Sequence, residues 1–105
     1  MNTLRRSGIK APKAARADDC LALEQLPNIG PALAAGLRRV GICHPAELRS
    51  RDPLQLYRAL CRATGKRQDP CVLDTFMAAV EFMGGAAPAP WWHFTAQRKQ
   101  RYGPL

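Results

Sequence analysis

The sequence predicts an all-α protein, and three observations carry that prediction. Apolar residues recur at the three- and four-residue spacing of a helix, as in Leu33, Leu37 and Val40, or in Val72, Leu73, Phe76, Met77, Val80 and Met83. No stretch alternates apolar and polar residues as a half-buried strand must. Proline opens one segment after another, at Gly30-Pro31, Asp52-Pro53 and Asp69-Pro70, and the first helical turn is the position that tolerates it. With 105 residues, 47% of them apolar, the chain can build one small core. The expected arrangement is a compact bundle of about five to six short helices.

Residues 1–17 are the least like the rest. They carry Arg5, Arg6, Lys10, Lys13 and Arg16 with no acid, and Gly8 and Pro12 interrupt them. They read as a flexible, disordered basic arm, with 18–105 as a single helical domain. Asp18 or Asp19 is placed to cap a first helix that ends near Leu26, before Pro27. A second helix runs from Pro31 to about Val40 and stops at Gly41. Its small residues Ala34, Ala35 and Gly36 admit a close neighbour. Pro45 to Leu48 reads as a short helix with Leu48 inward. Asp52-Pro53 starts a helix through about Ala63, with Leu54, Tyr57, Leu60 and Cys61 on one face and Arg51, Arg58 and Arg62 on others. Asp69-Pro70 starts the most buried helix, which Gly84-Gly85 ends. A stiff Pro88-Ala89-Pro90 connector leads to Trp91-Trp92-His93-Phe94 and a basic helix to about Tyr102.

Two adjacent tryptophans are costly to leave in water, so at least one is expected on the core. Stacking on unpaired bases is the functional alternative. Arg98, Lys99 and Arg101 either add phosphate contacts or solvate the last helix. No internal repeat is obvious, although Gly41 to Leu60 reads as a degenerate second hairpin unit.

The stretch Pro27-Asn28-Ile29-Gly30-Pro31-Ala32 carries the chemistry. Gly30 can take a left-handed backbone at no steric cost, and Asn28 can at modest cost. The amides of Ile29, Gly30 and Ala32 are expected to gather at the positive end of the second helix, which makes an anion site. The pattern resembles the helix-hairpin-helix motif of many DNA-binding proteins. In that motif, hairpin amides hold a backbone phosphate, sometimes with a monovalent cation on the hairpin carbonyls. The usual hairpin has two glycines around an apolar residue; here the first is Asn28. The resemblance implies a helix-hairpin-helix, SAM-domain-like bundle and phosphate contacts from Pro27, Asn28, Ile29, Gly30, Pro31 and Ala32. Arg38 and Arg39 lie about two turns away from the amides. Together with Arg5, Arg6, Lys10 and Lys13 of the arm they complete the candidate DNA-binding set. A tight helix-helix turn is the plain alternative.

The formal net charge is +8, and the arm supplies most of it. Such a tail suits nucleic acid bound without sequence preference, and a solvated arm that aids solubility is the plain alternative. No apolar run nears the roughly 20 residues of a bilayer span. The basic N-terminus has no apolar stretch behind it, so no secretory signal is read and a cytoplasmic location follows. Cys20, Cys43, Cys61 and Cys71 form no C-x-x-C pair. Reduced, packed thiols are expected, with no zinc site.

The resemblance widens along the chain. Leu26-Pro27-Asn28-Ile29-Gly30-Pro31, Pro45-Ala46-Glu47-Leu48, Asp69-Pro70-Cys71-Val72-Leu73-Asp74 and Pro90-Trp91-Trp92 look like the bacterial pathogenicity-locus family, whose members are often labelled mitomycin-resistance proteins. The likeness covers about residues 20 to 101. It implies a helical fold and a link to DNA damage, and it singles out Tyr57, Cys61, Cys71 and Asp74. Cys71 near a helix start can be reactive, but burial acts against that, and packing is the expectation.

Three functions are weighed. The first is DNA binding through backbone phosphates, without sequence preference, since phosphate contacts position but do not read. The second is a protein-protein interaction module on the same fold. The third is an enzyme, for which no paired carboxylates, metal cluster or nucleophile with a base stands out. The expectation is a non-enzyme with DNA as partner and no cofactor beyond a cation at the hairpin.

Overall fold

The core is organised around α3 (Pro70–Met83), which is buried over most of its circumference. Leu73, Phe76, Met77 and Phe82 lie inside it, each 2% exposed or less. A helix this apolar on every side is stable only when neighbours surround it. The computed structural model describes residues 12–105. Within them lie α1 (Pro31–Arg39), α2 (Pro53–Thr64), α3 and α4 (Thr95–Tyr102), with a 3₁₀ turn between α1 and α2 and another before α4, and no strand. The all-α expectation is met. No helix in the described residues is long and apolar enough to cross a membrane.

α2 and α3 start as their sequences direct. Asp52 and Asp69 accept hydrogen bonds from the backbone N–H of Leu54 and Cys71, both at 2.9 Å, and a proline follows each cap. These caps contribute about 0.5–2 kcal/mol apiece. α2, α4 and the turns Pro45–Leu48 and Trp91–Phe94 pack on α3, while α1 packs on α2. Gly36 permits the last contact: a Cβ there would stand 3.2 Å from Leu60 Cδ1. Gly65 ends α2 in the left-handed conformation, φ 71°.

The first helix does not form as expected. Residues 17–26 make two 3₁₀ turns, Ala17–Asp19 and Leu23–Gln25, separated by extended chain. Gln25 Oε1 accepts the N–H groups of Leu21 and Ala22 at 2.8 and 2.9 Å, which holds that extended entry and competes with a helix. Asp18 and Asp19 lie inside the first turn and cap nothing longer.

The arm also differs where it is described. Ala14 is buried, and its N–H donates to Gln25 O at 2.9 Å. Residues 13–17 therefore lie against the domain. Arg5, Arg6 and Lys10 fall outside the described residues.

Neither tryptophan is buried. Trp91 is 37% exposed and Trp92 65%, their rings edge to face at 5.8 Å. Phe94 takes the core position instead. Arg98 is no solvated cation: its Nε and Thr95 Oγ1 both donate to Asp74, the one at 2.5 Å and the other at 2.8 Å, and Asp74 is fully buried. This ion pair fastens α4 to α3.

The structure contains a repeat that the residues conceal. A 3₁₀ turn, a hairpin and a helix occur twice, with positions 28 and 31 of the first matching 50 and 53 of the second, a constant offset of 22. Asn28 and Ser50 both have positive φ, 68° and 61°. Ile29 N–H donates to Leu26 O at 3.2 Å, and Arg51 N–H to Leu48 O at 3.1 Å. Gln25 is matched by Glu47, whose Oε1 accepts Cys43 N–H at 2.7 Å. Different side chains thus impose one backbone path at both places.

Candidate functional site

The first hairpin is anchored from below and open above. Leu26, Pro27 and Ile29 are buried, whereas Pro31 and Ala32 are exposed. Asn28, not Gly30, takes the left-handed conformation; Gly30 is extended at φ −93°, ψ −174°. Asparagine tolerates that region, and its Nδ2 donates to Ala89 O at 2.8 Å, tying the hairpin to the proline-rich connector.

The amide cluster differs from the expected one in a single member, Ile29 giving way to Leu33. Ile29 N–H is taken by Leu26 O. No side chain caps α1, so the N–H groups of Gly30, Ala32 and Leu33 make no hydrogen bond within the described residues. A helix start leaves such donors without internal partners, and the dipole adds positive potential there. The approach is clear, because a Cβ built on Gly30 meets nothing within 4 Å.

The second hairpin shows what closes such a site. Asp52 stands where the first has Gly30, and its carboxylate already accepts Leu54 N–H. An acid at that position both occupies an amide and repels an anion. Only the first hairpin presents a neutral, uncapped helix start.

The basic candidates are dispersed. Lys13 Nζ donates to Ile29 O at 2.5 Å and Glu24 O at 2.9 Å, so an ammonium already lies on a hairpin carbonyl of the kind where the resemblance puts a monovalent cation. Arg38 makes a two-pronged pair with Glu24, both contacts 2.9 Å. That pairing holds the Glu24 carboxyl below its usual range. Arg39 donates to Ala63 O at 2.6 Å, at the end of α2. The structure brings Lys13 to the hairpin and turns Arg38 and Arg39 to internal partners.

Arg51, Arg58 and Arg62 escaped the sequence reading, which put them on scattered faces. Together with Val40, Gln55, Leu56 and Ala59 they line one cleft. Part of the signal was there: 58 and 62 are four apart on one face of α2, whereas Arg51 precedes the helix and its approach is set by the turn before Pro53.

Cys20 and Cys61 pack with the core, and Cys43 does not. All four are free, with Cys43 exposed and Cys20 buried. Burial pushes the Cys71 thiol up, and Asp69 adds to it, which opposes thiolate formation. Cys61 Sγ accepts Gln68 N–H at 3.4 Å, while Tyr57 Oη donates to Gln68 O at 2.6 Å. Both fix the loop after α2. Iodoacetamide at neutral pH is expected to alkylate Cys43 first and Cys71 at least several-fold more slowly, as read by peptide mass spectrometry. Faster labelling of Cys71 would contradict this account. Among the described residues no three His, Cys, Asp or Glu side chains gather as metal ligands do.

The profile of the pathogenicity locus family matches residues 16–100. The mitomycin resistance protein McrB of Streptomyces lavendulae is 46% identical over 78 residues, 74% of this chain and 74% of that protein. No solved structure matches the chain. The match spans both hairpins, the buried Asp74 and its Arg98 partner, and on that extent the chain belongs to the pathogenicity locus family.

Proposed function

We propose that the chain is a small, non-enzymatic DNA-binding protein that holds a backbone phosphate at the Gly30 hairpin, as a helix-hairpin-helix does. The observation that carries this reading is the uncapped, unobstructed start of α1, set beside its acid-capped twin at Asp52. The contact is to phosphate, so binding is largely independent of sequence. A relative named for mitomycin resistance suggests that the DNA is damaged DNA, and that the protein contributes to such resistance.

Anisotropy titration of a labelled duplex across a salt series tests this. The expected affinity is micromolar or weaker at physiological salt, with a falling log K against log salt. A flat response would remove the phosphate contact. Deleting residues 2–11 removes Arg5, Arg6 and Lys10. The slope is then expected to shrink by up to about 2.7, at roughly 0.9 per neutralised phosphate.

The exposed Trp91-Trp92 pair favours a second reading, a protein-interaction module, since aromatic residues are enriched at interfaces. Capture of a protein from extract that survives nuclease and is lost in Trp92→Ala would support it. Capture abolished by nuclease would support DNA.

A further inference from the structure

The cleft between the end of α1 and the outer face of α2 gathers three arginines. Arg51, Arg58 and Arg62 line it with no acid among the lining residues, around a volume of about 400 Å³. All three are exposed, and none of their guanidinium groups makes a hydrogen bond or ion pair among the described residues. Asp52, next in sequence to Arg51, has its carboxylate turned to Leu54 N–H. Arg58 and Arg62 stand one turn apart on α2, where like charges oppose each other. A fold that gathers three guanidinium groups without a counter-charge leaves room for a polyanion.

We propose that this cleft is a second phosphate site, which grips the sugar-phosphate backbone of the DNA held at the Gly30 hairpin. The inference rests on the DNA reading above. Guanidinium forks match phosphate oxygens in pairs. Val40, Leu56 and Ala59 supply the apolar part of the lining and Gln55 a further donor. The cleft and the hairpin lie at opposite ends of α1, since Val40 follows its last residue and Gly30 precedes its first. The nine residues of α1 make ten steps from Gly30 to Val40, about 15 Å. That is about four steps along a strand at roughly 3.4 Å each, so one short duplex can reach both.

The test uses the full chain and the double variant Arg58→Gln/Arg62→Gln. Both side chains are exposed, and removing two like charges favours the fold. Loss of two phosphate contacts is expected to reduce the slope of log K against log salt by about 1.8. A control, Lys66→Gln/Lys99→Gln, removes the same charge elsewhere and is expected to change it by less than about half that. Equal changes in both variants, or none in the first, overturn the proposal.

Inorganic pyrophosphate separates a free anion from DNA as the source. Shifts of the Arg58 and Arg62 side-chain resonances with pyrophosphate, alongside an unchanged DNA slope, mean a free-phosphate site and refute the DNA occupant. Gly30→Asp keeps the two claims apart. If it leaves DNA affinity intact while the arginine variant lowers it, the hairpin reading fails and the cleft stands. If only Gly30→Asp matters, the cleft fails. If wild type binds no duplex, both fail.

Discussion

Asp74→Ala is expected to lower the stability of the protein by about 3–5 kcal/mol. The carboxylate is 0% exposed and accepts from Arg98 Nε and Thr95 Oγ1. Arg98 is itself only 11% exposed along its side chain. Removing the acid strands a guanidinium beside the core, and the loss falls on that desolvated charge. For a domain of this size the midpoint of thermal unfolding should drop by at least about 12 °C. Thr95→Ala removes one neutral donor and should cost only about 1 kcal/mol. The pair Asp74→Val with Arg98→Met should recover much of the loss, because a buried ion pair replaced by apolar groups is often neutral. Thermal unfolding followed by circular dichroism measures all three. A single Asp74→Ala loss below about 1 kcal/mol would show that the pair does not fasten α4 to α3.

Gly30→Asp is expected to separate folding from binding. It rebuilds in the first hairpin the cap found at Asp52 in the second. The Cβ has open space, and aspartate caps better than glycine by a few tenths of a kcal/mol. Stability should hold or rise slightly. DNA affinity should fall by about 10- to 150-fold, the loss of one charge-assisted hydrogen bond at about 1.5–3 kcal/mol. Unfolding midpoints and duplex titrations on the same preparation decide it. A variant that folds and binds like wild type contradicts the phosphate site.

The sequence made α2 and α3 legible because each is announced twice, by a cap-proline start and by an apolar stripe, while α1 has the proline and the stripe without the cap. α1, α2 and α3 begin at the prolines expected, and Pro45–Leu48 is found as a single turn. The stretch before Pro27 was not legible. Its leucine spacing suits a helix, yet Gln25 captures the preceding amides and holds the chain extended. A local side chain overrode periodicity.

The turn before Pro31 has a left-handed residue that was not fixed by sequence. Glycine and asparagine can both adopt that conformation, and the hydrogen bond from Asn28 to Ala89, 61 residues away, settles it. The same distance effect hid the fate of Arg38 and Arg98, whose partners Glu24 and Asp74 lie far along the chain. Trp91 and Trp92 looked like core residues by size alone. Phe94 fills that place because the turn Trp91–Phe94 directs its last residue inward.

The central claim is that the uncapped amides at the start of α1 meet a phosphate. Recording ¹H–¹⁵N spectra of the full chain during titration with a short duplex tests it most directly. The account predicts that the amides of Gly30, Ala32 and Leu33 move downfield together as DNA is added, while Leu54, held by Asp52, stays in place. Saturation of the protein with Gly30 and Ala32 unmoved would contradict it.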